Sequence, residues 1–146
     1  MKKILVLICA AVLSLGAWAD DDSRQPIEAK KLPNMTLNIL KSYYPDAQVV
    51  TATREKSKIK HNYEVTLDNG VDLTFDKDGQ WTRVDAHGEA IPTRMVPGKI
   101  VMYLSKSESG AVVTRMEKDN LNNYEIELAS GVIYLFDKQF VYMGTK

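Results

Sequence analysis

Two stretches of the chain decide the fold. They are Tyr63-Glu-Val-Thr-Leu-Asp-Asn-Gly-Val-Asp-Leu-Thr-Phe-Asp-Lys77 and Tyr124-Glu-Ile-Glu-Leu-Ala-Ser-Gly-Val-Ile-Tyr-Leu-Phe-Asp-Lys138. The second follows the first at an offset of 61 residues, and eight of the 15 positions are identical. Self-similarity at a fixed spacing is the mark of a duplicated supersecondary unit. The sequence therefore predicts two copies of one structural repeat.

Each copy is predicted to contain an antiparallel meander. Apolar and polar residues alternate over residues 63–67 and again over 71–76, which is the pattern of half-buried strands. Asn69-Gly70 lies between them and accepts the positive φ that a tight hairpin turn demands. Asp78-Gly79 predicts a second turn, and residues 80–84 a short return strand. Residues 48–53 and 111–116 are β-prone and predict the strand that precedes the hairpin in each copy.

A helix is predicted at the start of each repeat. Leu32-Pro33 and Val96-Pro97 open the two copies, and proline is well tolerated at the start of a helix because its missing N–H would have no partner there. Apolar residues then recur at three- and four-residue spacing, which predicts one buried stripe on each helix. The stripe residues are Leu32, Thr36, Ile39, Leu40 and Tyr43 in the first copy and Val96, Ile100, Tyr103 and Leu104 in the second.

The predicted fold class is α+β: two tandem helix-plus-antiparallel-meander repeats, each with its helix covering one sheet face in a two-layer arrangement. The predicted segments are a signal peptide (1–19), a flexible leader (20–31), a first repeat (32–85), a linker (86–94) and a second repeat (95–146). We expect the repeats to form one compact unit, either by sharing a continuous sheet or by exchanging the C-terminal strand.

The N-terminus has the features of a bacterial secretory signal. Lys2-Lys3 is a basic region, residues 4–15 are apolar, and Ala17-Trp18-Ala19 is a small-residue cleavage site. Cys9 is the only cysteine, so cleavage after Ala19 leaves a mature chain without a thiol. The protein is predicted to be periplasmic or secreted.

The charge and the hydropathy of the mature chain each argue against one class of partner. Removing Lys2 and Lys3 from the 19 basic residues leaves 17 against 19 acidic ones, so the basic excess needed to bind nucleic acid is absent. No second hydrophobic segment follows the signal, and we predict no membrane insertion after cleavage. The partner is predicted to be another periplasmic or secreted protein, with a homodimer as the alternative.

No catalytic residue, metal site or cofactor is predicted. His61 and His87 have no histidine or cysteine at metal-ligand spacing and are interpreted as exposed loop residues. Asp76-Lys77-Asp78-Gly79 resembles the start of a calcium loop, but the twelfth position is His87 rather than a bidentate glutamate, which favours a plain turn. The serines lack a nucleophile-elbow context, and the carboxylates lie on solvated strand faces. The protein is predicted not to be an enzyme.

Five residues are candidates for an interaction surface. Tyr44, Trp81 and Tyr142 are aromatic residues outside the strict core periodicity, although core packing is the favoured interpretation of Trp81. Ile133 and Leu135 replace Asp72 and Thr74 of the first copy, so their strand is apolar on both faces. The favoured explanation is a central hairpin covered by the other half of the molecule. The alternative is an exposed patch for a partner.

The motifs resemble those of the PepSY-like periplasmic proteins, a family whose fold looks like a tandem version of the β-lactamase inhibitor protein. The matching stretches are Tyr43-Tyr-Pro-Asp-Ala47, residues 63–70 and residues 75–81, with weaker matches in the second copy. That copy departs from the pattern at Gln139-Phe140, where we expect the final strand to pair differently. The resemblance implies a secreted, non-enzymatic protein that binds or restrains another protein, and it brings no catalytic residues.

The leading functional hypothesis is therefore a periplasmic protein-interaction module, inhibitor-like, that grips its partner with a concave sheet face. The alternative is a small-ligand or peptide binder that uses the groove between the repeats, which would require a pocket with a few convergent polar groups. A structural component of the cell envelope is a further alternative.

Overall fold

The computed structural model describes residues 23–57 and 62–146. The predicted signal peptide and His61 lie outside these residues. The elements are β1 (Arg24–Pro26), α1 (Asn34–Tyr43), β2 (Val49–Glu55), β3 (Tyr63–Leu67), β4 (Asp72–Phe75), β5 (Trp81–Asp85), α2 (Gly98–Ser107), β6 (Val113–Lys118), β7 (Tyr124–Leu128), β8 (Ile133–Phe136) and β9 (Tyr142–Thr145). Short 3-10 turns at Ala29–Lys31 and Thr93–Met95 precede the two helices.

All nine strands form one antiparallel sheet in chain order, from β1 to β9. The α+β class and the two repeats are confirmed: α1 precedes β2–β5, and α2 precedes β6–β9. The repeats share a continuous sheet because β5 pairs with β6. The expectation that the final strand pairs differently in the second copy is wrong, since β9 pairs with β8 of its own repeat.

The leader contains an unexpected strand. Residues 24–26 were predicted to be flexible, but they form β1, which pairs with Thr53–Glu55 of β2. Ile27 continues this pairing by donating its backbone N–H to the Ala52 carbonyl at 2.9 Å. Pairing with a neighbouring strand satisfies the backbone groups of a segment whose own sequence has no strand pattern.

Both helices begin directly after the predicted prolines. The Pro33 carbonyl accepts a hydrogen bond from the Leu37 N–H at 3.0 Å, and the Pro97 carbonyl accepts one from Val101 at 3.1 Å. The predicted apolar stripes face the core: every stripe residue is buried except Tyr43 and Tyr103, which are half-buried. Among the described residues, neither helix is long and apolar enough to cross a membrane.

The two repeats use the same hairpin turn. Gly70 has φ +86° and donates its N–H to the Leu67 carbonyl at 3.0 Å. In the second copy Gly131 has φ +88° and donates to Leu128 at 2.8 Å. The positive φ predicted for the Asn-Gly pair falls on Gly70 alone. This turn fixes the register in which the apolar rows of both hairpins face the same side.

One apolar row crosses the sheet on the side that carries the helices. Val65 pairs with Leu73, and the register continues through Val84, Met116 and Ile126. Each of these five side chains is at most 1% exposed. They belong to one hydrophobic cluster that also includes buried residues of both helices. The sheet and the helices therefore enclose a single core.

Candidate interaction surface

The sheet face opposite the helices, here called the open face, is strongly charged. Strand alternation places on it a cross-strand row of Glu64, Thr74, Arg83, Glu117, Glu125 and Leu135. A second row contains Thr66, Asp72, Asp85, Arg115, Glu127 and Ile133. Both described helices, α1 and α2, pack on the other side of the sheet, so this face is available for contact with another molecule.

Ion pairs connect neighbouring strands across the open face. The Arg115 Nε donates to the Glu127 carboxylate at 2.6 Å. The Lys146 Nζ lies 2.7 Å from the Glu125 carboxylate. Lys146 directly follows β9 and Glu125 is on β7, so this second pair crosses β8 at the level of Ile133 and Leu135. Exposed ion pairs contribute little stability. Here they place charged groups beside the apolar side chains of Ile133 and Leu135.

His87 pairs with two aspartates at the edge of the open face. It is exposed, as predicted, but its Nε2 lies 2.6 Å from the Asp72 carboxylate, and its Nδ1 lies 3.7 Å from Asp85. The hydrogen bond to Asp72 raises the pKa of His87, with the Asp85 charge adding to the shift. Partial burial opposes the shift at Asp72, but hydrogen bonds from Thr66 and His87 outweigh it and lower the pKa of that carboxyl.

Ile133 and Leu135 lie on the open face and are half-buried. The interpretation that their hairpin is central and covered by the other repeat is wrong, because β8 is the eighth of nine strands and β9 is its outer neighbour. Their apolar side chains therefore interrupt an otherwise charged face close to one edge of the sheet.

Tyr44 is not available for contact with a partner. It was a candidate for an exposed aromatic residue, but only 9% of it is accessible. Burial raises the pKa of its hydroxyl to about 12. The hydroxyl has no hydrogen-bond partner within the described ranges. Tyr44 follows α1, and its N–H donates to the Leu40 carbonyl at 2.8 Å, so the helix end directs the ring into the core.

Trp81 lies at the junction of the two repeats. Its pairing with Phe75 places it on the helix side of the sheet, where it is half-buried. The Lys118 Nζ lies 4.1 Å from the centroid of a Trp81 ring, in the geometry of a cation–π contact. Tyr124 packs edge-on at a centroid distance of 6.2 Å. The second repeat thus covers the tryptophan of the first.

Tyr142 is the candidate that remains most accessible. It pairs with Phe136 on the helix side and stacks on Tyr103 of α2 at a centroid distance of 4.8 Å, yet 37% of it is exposed. Its neighbours Val141 and Met143 are 59% and 57% exposed. We call these three residues and β9 the C-terminal edge.

Val141 and Met143 were not among the candidates from the sequence. The signal that could have found them is the offset of 61 residues, which aligns Tyr142 with Trp81 and Met143 with Thr82. The apolar residue at position 143 thus replaces a polar one at the same place in the repeat.

An apolar pocket of about 300 Å³ lies beside α2, between the linker and β6. Ile91, Val96, Leu104 and Val113 line it, and Glu108 contributes a carboxylate. The Glu108 carboxylate also accepts a hydrogen bond from the Tyr134 hydroxyl at 3.1 Å. The pocket combines an apolar wall with one charged group, the pattern expected of a small-ligand site.

Comparison with known families assigns the chain. A family model described as "Putative beta-lactamase-inhibitor-like, PepSY-like" matches residues 13–79 and again residues 61–143. The chain belongs to the PepSY-like family. No enzymatic activity is part of the description of this PepSY-like family. Comparison with curated proteins finds no match.

Three solved structures resemble this PepSY-like chain. A "putative periplasmic protein" from Bacteroides vulgatus is 32% identical, with a TM-score of 0.80, and the match covers 86% of this chain and 98% of that one. A "putative calcium-regulated periplasmic protein" from Bacteroides thetaiotaomicron is 28% identical over the same shares, with a TM-score of 0.79. A second protein from Bacteroides vulgatus, of unknown function, is 22% identical, with a TM-score of 0.78 over 84% and 98% of the two chains.

The names of these relatives describe them as periplasmic proteins, and this PepSY-like chain is periplasmic as well. Over residues 23–57 and 62–146, no group of three or more His, Cys, Asp or Glu is arranged to hold a metal ion. Asp76 instead closes the predicted turn, because its Oδ1 accepts the N–H groups of Asp78 at 2.9 Å and Gln80 at 3.0 Å. The turn interpretation of residues 76–79 is confirmed.

Proposed function

We propose that this protein is a non-enzymatic periplasmic binding module that holds another protein, in the manner of an inhibitor, with the C-terminal part of its sheet. The observation that carries the proposal is the grouping of exposed apolar residues. Of the eight large hydrophobic side chains exposed among the described residues, Val141, Tyr142 and Met143 are consecutive. Contiguous exposed apolar surface marks interaction sites on soluble proteins.

The surroundings of this group also suit a protein interface. Ile133 and Leu135 extend the apolar surface around β8 onto the open face. The Lys146–Glu125 and Arg115–Glu127 pairs border it with charge. An apolar centre with a polar, solvent-accessible rim is the usual anatomy of a protein–protein interface.

The family description supports the inhibitor-like part of the proposal. It names the β-lactamase inhibitor protein as the point of resemblance. We extend that resemblance to this chain as a fold of the same type, with two helix-plus-meander repeats side by side. Resemblance of fold is an analogy, so the proposal depends on the surface residues rather than on the family name.

The test is capture of a partner from native periplasmic extract, followed by binding of the purified partner. The mature protein is tagged at its N-terminus and compared with Leu135→Glu, which places a charge in the centre of the apolar surface. The control is Leu121→Glu, because Leu121 is 72% exposed and lies in the β6–β7 turn, outside β8 and the C-terminal edge.

The proposal predicts one stoichiometric partner that binds the wild type and Leu121→Glu alike. Leu135→Glu should weaken its binding at least about tenfold, since an unpaired charge at an apolar contact costs about 1.4 kcal/mol or more. A folded wild-type protein that enriches no partner would overturn the proposal. A partner bound equally well by Leu135→Glu would move the interface away from this surface.

A small-ligand function is the second candidate, supported by the pocket beside α2. Its volume of about 300 Å³ lies at the lower limit for ligand sites. Titration with indole, followed by backbone amide chemical shifts, tests it. Saturable shifts confined to the pocket lining, and lost when Ala111→Phe fills the space, would support a ligand site. Shifts scattered over the surface would remove this candidate.

A further inference from the structure

The duplication provides a reference for the C-terminal edge, because β9 is the second copy of β5. Trp81 pairs with Phe75, and Tyr142 pairs with Phe136, at the offset of 61 residues. The register shifts between Thr74 and Phe75 in the first copy and between Leu135 and Phe136 in the second. The two strands are therefore built alike, including the irregularity.

The two strands differ in what lies outside them. β5 has β6 as its outer neighbour, with Val84 opposite Met116. Among the described residues, β9 has a neighbour on one side only. Lys146 exchanges both backbone hydrogen bonds with Ile133, so strand alternation directs the N–H and carbonyl of Thr145 away from β8. Thr145 occupies the place of Val84 and presents these groups at an open edge.

Lys118, which covers Trp81 from the strand outside β5, has no counterpart outside β9 in the part of the chain that the structure describes. Lys118 of β6 lies over the Trp81 ring, and the charge of Asp76 acts on its ammonium group. Tyr142 and Asp137 occupy the same two places in the second copy. Asp137 holds its turn as Asp76 does, with its Oδ1 accepting the N–H groups of Gln139 at 2.8 Å and Val141 at 2.9 Å.

The opposite edge of the sheet is protected in a way that β9 is not. β1 is three residues long and includes Pro26, which has no N–H to donate, and Arg24 forms an ion pair across β2 with Glu64 of β3. Short strands, prolines and charges are the usual means of preventing association at a sheet edge. β9 contains no proline, and an exposed apolar residue stands at each of positions 141–143.

We propose that β9 is the docking edge for a β-strand of the partner protein, which pairs antiparallel with it and places a lysine or arginine over Tyr142 beside Asp137. This inference rests on the proposed function and specifies how the partner binds. Strand addition to a sheet edge obtains affinity from backbone hydrogen bonds and specificity from side-chain positions such as this one. A strand resembling β6 has the required chemistry.

The probe is a fluorescently labelled peptide with the sequence of residues 112–120 of this chain, which contains β6 and the lysine that covers Trp81. Its binding to the mature protein is measured by fluorescence anisotropy, and its location by backbone amide exchange. The comparison peptide carries Lys118→Ala. The protein variants are Thr145→Pro, which removes the outward N–H, and Thr145→Val, which retains it.

Saturable binding to the wild type and to Thr145→Val, lost in Thr145→Pro, is the expected result. The Lys118→Ala peptide should bind about fivefold more weakly, which is the usual size of an exposed cation–π contribution. Tyr142→Ala should abolish that difference between the peptides while leaving the backbone pairing in place. The amide of Thr145 should become protected when the peptide is bound.

Absence of saturable binding, or binding that Thr145→Pro leaves unchanged in a variant with native circular dichroism, would overturn the inference. Self-association of the protein that buries Thr145 and excludes the peptide would also overturn it, in favour of a second copy as the occupant. The proposed function is tested separately: a captured partner lost in Leu135→Glu but retained in Thr145→Pro would leave that function standing without strand addition.

Discussion

The two repeats have the same backbone plan but different outer edges. In the first repeat, β5 joins the two halves of the sheet by pairing with β6, and Lys118 covers the ring of Trp81. In the second, β9 occupies the same place, and Tyr142 is 37% exposed. The last strand of the first repeat therefore has strands on both sides, whereas the last strand of the second repeat has one neighbour among the described residues. The position of a repeat in the chain thus decides whether an aromatic residue is structural or available for binding.

A second difference lies in the turn before these strands. Gly79 of the first copy has φ +85°, and its carbonyl accepts a hydrogen bond from the buried Thr36 hydroxyl of α1 at 3.1 Å. The second copy has Phe140, with φ +67°, packed on Tyr124 at a centroid distance of 5.1 Å. The first turn therefore contacts α1, whereas the second turn contacts an aromatic side chain of β7 instead.

The largest expected effect concerns what the repeats share. Phe75 and Phe136 hold equivalent places and are both 0% exposed, so Phe75→Ala and Phe136→Ala should each lower the free energy of unfolding by about 3–5 kcal/mol. Urea denaturation measures both values. Effects that differ by more than about 2 kcal/mol would break the comparison, because they would mean that the two halves do not pack as equivalent cores.

The next effect concerns the turn that differs. A Cβ at Gly79 would lie 2.8 Å from the Cβ of Pro33. We expect Gly79→Ala to lower the unfolding free energy by about 2–4 kcal/mol, since a steric conflict adds to the left-handed backbone. Gly131→Ala is the matched control, with φ +88° and nothing within 4 Å, and should cost about 1–2 kcal/mol. Equal losses of unfolding free energy in the two variants, measured by denaturation, would show that the close contact between residue 79 and Pro33 does not affect stability.

A smaller effect concerns the residue after each helix, which is Tyr44 in the first copy and Glu108 in the second. The hydroxyl of Tyr44 is buried without a partner in the described ranges. Tyr44→Phe should therefore leave the melting temperature unchanged or raise the unfolding free energy by up to about 1 kcal/mol. A loss of stability greater than about 1 kcal/mol would mean that the hydroxyl makes an important bond. Tyr134→Phe, which removes the partner of Glu108, is the comparison in the second copy.

The smallest effect is the pH dependence of the His87–Asp72 pair, which has no counterpart in the second repeat. The pKa of His87 is raised above 6.5, so its contribution is complete below that value and is lost as pH rises through the raised pKa. The pKa of Asp72 is lowered below 3.8, so its contribution is present above that value and is lost as pH falls through the lowered pKa.

Thermal unfolding of the wild type and His87→Ala measures this contribution. The stability difference should be larger at about pH 5.5 than at about pH 8.5. It should become smaller in an Asp72→Asn background, where only the Asp85 carboxylate remains beside the imidazole. A difference that is independent of pH would mean that the pair contributes nothing through its charge.

Local sequence signals predicted most of the fold. Gly70 and Gly131 mark the hairpins, Pro33 and Pro97 mark the helix starts, and alternation places the core. Long-range pairing was less accessible to such reasoning. β1 exists only because β2 offers it hydrogen-bonding partners, since Arg24–Pro26 has no strand pattern of its own.

The exposure of the candidate residues was equally difficult to predict, for the same reason. Exposure of Tyr142 and burial of Tyr44 depend on which elements lie beside them, which alternation within one strand does not reveal. The alternation of apolar residues at Ile133 and Leu135 fits both a central strand and a surface patch. Only the order of the strands in the sheet distinguishes a central strand from a surface patch.

Amide hydrogen exchange at two pairs of equivalent positions in β5 and β9 tests most directly whether the C-terminal edge is open. The backbone N–H groups of Val84 in β5 and Thr145 in β9 point away from the preceding strand, which is β4 or β8. Those of Arg83 and Gly144 point toward that strand. In dilute protein we expect strong protection of Val84, Arg83 and Gly144 and weak protection of Thr145 alone. Protection of Thr145 equal to that of Val84, independent of protein concentration, would contradict the claim that the C-terminal edge is open for a partner.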